Sequence, residues 1–242
     1  MPATFVLVHG AWHGGWCYTR VAQLLRASGA SVFTPTLTGL GERAHLAHPM
    51  IDLSTHVTDI VNVVRYEDLH DVVLCGHSYG GLVITGVVER LPERVAALVF
   101  LDAFVPQDGE SLQDLVPASH RERQLEAAAA NGGFVPPIPA AVFGVNERDQ
   151  AYVDAHCVPQ PLPTFREGLA LTGARERVAH KTYLRAGNYR SHPFDAARER
   201  LTGEPGWVVE TIPSGHDVML DAPEALAAAL LAAAQRAGLT GS

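Results

Sequence analysis

Apolar and polar positions alternate along the chain in two rhythms. Short runs rich in β-branched and aromatic residues recur at Phe5–Val8, Ser31–Thr34, Val72–Cys75, Ala97–Leu101, Thr182–Leu184 and Trp207–Ile212. Longer stretches, Trp16–Ala27, Thr55–Tyr66, Gly81–Arg90 and Pro223–Ala237, bring apolar residues back every three or four positions. The first rhythm predicts strands and the second amphipathic helices. Their alternation predicts βαβ units, and so an α/β fold with a mostly parallel sheet of about six strands and helices on both faces.

The rhythm fails between Phe104 and about His180. Polar helical stretches, Glu110–Ala130 and Asn146–Val153, are separated there by proline-rich pieces at 136–139 and 159–163. This pattern predicts a helical lid over residues 104–179, inserted into a core built from 1–103 and 180–242. Apolar lid residues such as Leu112, Leu115, Phe134 and Phe143 are expected toward a pocket, although a lid helix must bury such residues in any case.

Composition narrows the reading. With 242 residues and 47% apolar content, the chain can build one sizeable core. Its formal charge of −8 is spread along the sequence without a basic run, which argues against nucleic acid or an anionic membrane surface as a partner. No apolar run approaches the roughly 18–20 residues of a bilayer span. Phe5–Val8 lacks the basic leader and cleavage site of a signal peptide, so a cytoplasmic location is expected. Cys17, Cys75 and Cys157 form no CxxC pair and are expected as core thiols in a reducing compartment.

The strongest chemical signal is Val72-Val73-Leu74-Cys75-Gly76-His77-Ser78-Tyr79-Gly80-Gly81-Leu82, a strand run, Gly-x-Ser-x-Gly and then a helical pattern. That order is the nucleophile elbow, in which a serine sits on a strained turn and small neighbours admit close approach. A serine hydroxyl needs a base. Of twelve histidines, His216 is favoured because it follows the last strand run across Pro213-Ser214-Gly215. Two N–H groups should face the developing oxyanion, from Tyr79 after the nucleophile and from Ala11 in the loop His9-Gly10-Ala11-Trp12-His13-Gly14-Gly15-Trp16. His9 is expected to brace this loop, and Trp12 to line the pocket. His45-x-x-His48 has metal-ligand spacing without a convergent Cys, Asp or Glu pattern, so no metal is expected.

Taken together, Phe5–Trp16, Gly76–Gly81, Leu101-Asp102-Ala103-Phe104-Val105-Pro106 and Gly215-His216-Asp217 resemble the α/β-hydrolase group of plant methyl esterases, hydroxynitrile lyases and bacterial pyrethroid-hydrolase-like carboxylesterases. The resemblance runs nearly end to end and is least specific in the lid. It implies a lid over a mostly apolar pocket, no cofactor and, in many members, a homodimer; Phe104, read with Leu112 and the other apolar lid residues, is expected on the pocket wall, and a small-molecule ester is the expected substrate. The implied activity is serine hydrolysis of carboxylic esters through an acyl-enzyme.

The chain departs from that group at the triad acid, whose usual position about 28 residues before the histidine is occupied by Asn188. Asp102, directly after the run Ala97–Leu101, is the expected replacement, as in certain haloalkane dehalogenases; Asp195 is second and Asp108 third. Two other readings compete. The lyases carry lysine after the catalytic histidine, where this chain has Asp217, and a ligand receptor on this fold could dispense with Ser78 or His216, both present here. A perhydrolase side activity is decided by nothing in the sequence.

Overall fold

The apolar runs become a six-stranded sheet. In the computed structural model, which describes residues 2–239, β1 (Thr4–Val8) leads through α1 (Thr19–Ala27) to β2 (Ser31–Phe33), and α2 (Leu53–Tyr66) leads on to β3 (Val72–His77). α3 (Gly80–Arg90) then connects to β4 (Val95–Leu101). The chain leaves the sheet for α4 (Leu112–Leu115), α5 (Ala118–Ala130), β5 (Phe134–Val135), α6 (Glu147–His156), β6 (Gln160–Pro161), α7 (Pro163–Arg166) and α8 (Ala174–Arg177). It returns through β7 (His180–Ala186), α9 (His192–Leu201), β8 (Trp207–Ile212), α10 (Val218–Asp221) and α11 (Pro223–Arg236). Met1 and residues 240–242, counted in the expected core, lie outside the described residues.

The six strands pair in parallel in the order β2-β1-β3-β4-β7-β8. From β1 the chain moves one way to β2, then crosses back to β3, and right-handed crossovers in opposite directions put α1 and α2 on opposite faces. A sheet covered on both sides has no wet face, which is why β3 is buried at every position and reads as a continuous apolar run. Among the described residues no helix is long and apolar enough to cross a membrane.

Several expectations shift in detail. The expected helix Glu110–Ala130 divides into α4 and α5, because Pro117 holds Val116 extended (φ −107°, ψ 156°). The stretch from Trp16 begins as a 3-10 turn, Gly15–Tyr18, before α1. α9 was not anticipated, since its ten residues, half of them polar, bury only Phe194, Ala197 and Leu201. Cys17 and Cys75 are core thiols, whereas Cys157 is only half-buried after α6.

Candidate active site

Ser78 is the first residue beyond β3, and its φ of 52° places it in the left-handed region that non-glycine residues avoid. The neighbouring chain holds it there. Ser78 N–H donates to Leu101 O at 3.1 Å, and Ser78 O accepts from Phe104 N–H at 3.2 Å. The glycines earn their places by contact: a Cβ on Gly80 would stand 2.8 Å from Val8 O, and one on Gly76 would overlap the Gly80 carbonyl. Such strain costs on the order of 1–3 kcal/mol and persists only where surrounding structure over-determines it.

Asp102 occupies the matching position beyond β4, whose Leu101 is in register with His77. Its φ is 42°, and its N–H donates to Leu184 O at 2.7 Å. The side chain is fully buried, with Oδ2 2.6 Å from His216 Nδ1. Oδ1 accepts from Arg185 Nη1 at 2.6 Å and from Ala186 N–H at 3.0 Å. A carboxylate so surrounded accepts hydrogen bonds and donates none, so His216 carries a proton on Nδ1. The ring lies flat against Phe194, with centroids 5.2 Å apart and planes 14° apart. His216 N–H donates to Phe143 O at 2.8 Å, and its carbonyl accepts from His77 Nε2 at 3.0 Å. Burial drives the His77 pKa well below its ordinary value, in keeping with a neutral ring.

The other acid candidates lie elsewhere. Asp195 sits on the outer side of Arg185, accepting from Nε at 3.0 Å, and is 41% exposed. Asp108 accepts from Leu171 N–H, and Asn188 N–H donates to Ser214 O. Arg185 was missed by the sequence reading. Its signal was a charged residue in an apolar-rich strand run, β7, which buries both Lys181 and Arg185.

In the glycine-rich loop, His9 Nδ1 donates to Gly10 O at 2.8 Å while His9 Nε2 accepts from Leu37 N–H at 3.1 Å. Burial pushes the His9 pKa down to about 3, so the ring stays neutral and this tautomer is the one the contacts require. A trans peptide points its C=O and N–H in opposite directions. The bond to Gly10 O therefore orients the Ala11 N–H. Neither the Ala11 nor the Tyr79 N–H has a protein acceptor among the described residues, and both residues line one cavity. Tyr79 precedes α3, where helical N–H groups lack internal partners.

The next peptide is clamped from both ends. Ala11 O accepts from His13 Nδ1 at 2.7 Å, and Trp12 N–H donates to the buried lid residue Gln160 at 3.0 Å. His13 Nε2 donates to Asp217 Oδ2 at 3.1 Å. Both His13 nitrogens thus face acceptors, so the ring is an imidazolium. Although burial opposes that charge, Asp217 raises the His13 pKa well above 6.5, and His13 in turn helps hold the Asp217 carboxyl below its ordinary value despite the same burial. The Asp217 side chain is turned to His13 and does not line the cavity.

The cavity, about 210 Å³, is lined by Ser78, His216, Ala11, Tyr79 and the expected pocket residues Trp12 and Phe104. Leu112 and Phe143 reach it as expected, with Phe165, Tyr189 and Phe194 adding aromatic wall. Leu115 lines a neighbouring cavity beside Arg200, and Phe134 a groove elsewhere. Ser78 and His216 share the cavity without a hydrogen bond between their side chains, which is common before substrate binds. His45 lies in a 3-10 turn, and His48 Nδ1 accepts from Met50 N–H. Among the described residues no cluster of three His, Cys, Asp or Glu side chains could hold a metal ion.

This arrangement can be set beside known proteins. The chain is 44% identical to a carbendazim hydrolyzing esterase of Nocardioides sp. (strain SG-4G) over 239 residues, covering 95% of this chain and 99% of that one. It is 36% identical to methylesterase 1 of Arabidopsis thaliana over 118 residues, 44% of this chain and 41% of the relative. An extracellular α/β-hydrolase from a Paenibacillus species, with structural and functional homology to tobacco salicylic acid binding protein 2, superposes with a TM-score of 0.84 at 25% identity, covering 96% of this chain and 99% of the other. Residues 5–229 match the family model for the alpha/beta hydrolase family, to which this chain belongs.

Proposed function

We propose that this enzyme, a hydrolase of esters, works through a serine acyl-enzyme on small, largely aromatic or apolar esters. Ser78 Oγ attacks the ester carbonyl as His216 Nε2 takes its proton, while Asp102 keeps the other imidazole proton on Nδ1 and stabilises the imidazolium that forms. The Ala11 and Tyr79 N–H groups receive the oxyanion. His216 then protonates the leaving alcohol, and a water activated by the same nitrogen releases the acid.

The observation that carries this reading is the 2.6 Å Asp102–His216 hydrogen bond, behind a cavity that Ser78 also lines. The substrate class rests on the cavity, which is small beside the roughly 300–1,000 Å³ of drug-sized pockets and has Trp, Tyr or Phe at seven of its nineteen lining positions. The Nocardioides relative makes carbendazim a natural member of a substrate screen, alongside methyl and p-nitrophenyl esters.

The test is Ser78→Ala combined with a serine-directed phosphonate. Loss of hydrolysis with the fold intact, and peptide mapping of the label to Ser78 alone, are expected. Substantial turnover by the variant, or a label elsewhere, would overturn the reading.

A further inference from the structure

The inward stripe of a lid helix is normally apolar. On α5 that stripe runs His120, Gln124, Ala128, and two of its three members are polar. His120 and Gln124 both line the catalytic cavity. Positions four apart stack on one helix face with roughly 5–6 Å between Cβ atoms, so the two side chains form a single polar edge in an aromatic chamber.

The edge is open. Gln124 is only 5% exposed, and its Oε1 accepts from Gln113 Nε2 at 3.3 Å, which turns its own amide NH2 away from that partner. Among the described residues the NH2 has no protein acceptor, and neither nitrogen of His120 has a protein partner. Gln124 Nε2 is not among the buried atoms left without a partner, so it opens to the cavity; an apolar ligand that dries the site would strand it at a cost of roughly 1–3 kcal/mol, and a ligand group that pairs it is favoured over an apolar isostere.

We propose that His120 and Gln124 are specificity-determining residues that select esters whose non-reacting part carries a neutral donor–acceptor edge, such as a secondary amide or the N–H/N pair of an azole. This rests on the esterase reading of the cavity. Gln124 Nε2 donates to the substrate acceptor, and the neutral His120 ring accepts from, or donates to, the adjacent position. Burial of His120 and the nearby Arg123 lower its pKa, favouring the neutral ring that can do either. A flat azole would lie between the aromatic walls, with its polar edge toward α5.

The experiment compares two methyl esters of matched size, one a carbamate on an aminoazole and the other a plain aryl carboxylate. The readout is the ratio of their kcat/KM values in the parent, Gln124→Met and His120→Phe. The ratio needs no knowledge of the active fraction, so partial misfolding does not disturb it. It should fall at least tenfold in Gln124→Met and also fall in His120→Phe. A ratio unchanged in both variants would overturn the proposal.

Binding of 2-aminobenzimidazole, which has the polar edge but no ester, is measured calorimetrically on the parent and Gln124→Met. Weakening by tenfold or more in the variant supports the edge even if neither ester is turned over, an outcome that would count against the esterase reading alone. Equal binding by both proteins, or none by the parent, would overturn the proposal.

Discussion

Asp102 Oδ2 lies 2.6 Å from His216 Nδ1, while Oδ1 of the same carboxylate is held by Arg185 Nη1 and the Ala186 N–H. The two oxygens therefore have fixed and different duties. An amide at this position would keep its oxygen toward Arg185 and Ala186 and turn its NH2 toward His216. That orientation forces the His216 proton onto Nε2, which then cannot take the Ser78 proton as the proposed mechanism requires.

Asp102→Asn is accordingly expected to lose at least roughly two orders of magnitude in kcat, since the wrong imidazole tautomer costs about four orders in a well-studied serine triad. Asp195→Asn should change kcat far less, because Asp195 touches only the outer edge of Arg185. Steady-state kinetics on both variants decide the matter; a crippled Asp195→Asn beside an active Asp102→Asn would reverse the assignment.

Gly10→Ala probes the proposed oxyanion loop. The added methyl would stand 2.8 Å from His77 Nδ1 and 3.1 Å from Ser78 Cβ, so the loop must retreat from the elbow. Misplacing one oxyanion donor should lower kcat on the order of 10²-fold, with circular dichroism unchanged. Parent-like turnover would mean that Ala11 N–H does not serve the reaction.

Gln160→Leu tests the bond between lid and loop. It leaves the Trp12 N–H without its acceptor in a buried position, which should cost about 1–3 kcal/mol of unfolding free energy. Gln160→Glu retains an acceptor oxygen and, at a pH low enough to keep its fully buried carboxyl protonated, should lose less. Denaturant melts of the two variants at that pH give the comparison, and equal losses there would count against the hydrogen bond as the cause.

Buried histidines predict the acid limb of stability. Burial pushes His9 down to about 3 and drives His77 well below its ordinary value, so between about pH 6.5 and 3 the unfolded chain binds protons that the folded chain refuses. Stability then rises with pH, by up to about 1.4 kcal/mol per pH unit for each such histidine. His13 acts oppositely: its pKa is raised, so its contribution is complete below about 6.5 and is lost as pH climbs through the folded value. Urea titrations from pH 4 to 9 should show stability climbing steeply to a maximum near neutrality. A flat acid limb would contradict the neutral, buried state of His9 and His77.

Much of the architecture was legible because it rests on local periodicity. Five of the six apolar runs from Phe5 onward map onto sheet strands nearly residue for residue, and Thr182–Leu184 marks only the middle of β7. The run around Ser78 was legible because one backbone geometry demands small residues at fixed offsets from the serine. α9 was missed because a surface helix with three buried side chains leaves little trace in a polar sequence.

What the sequence alone determined, then, was the sheet, the elbow and the kinds of residue that had to meet there. Tertiary structure decided which of them do meet. Three aspartates were open candidates beside His216, and the choice among them depends on the register of β4 with β3 and β7, which brings residue 102 to the sheet edge beside residue 78. The partners Arg185, His13, Asp217 and Gln160 lie far along the chain from the atoms they orient. Linear spacing carries no trace of such contacts, because they form only when strand order and lid closure bring distant segments within hydrogen-bond reach.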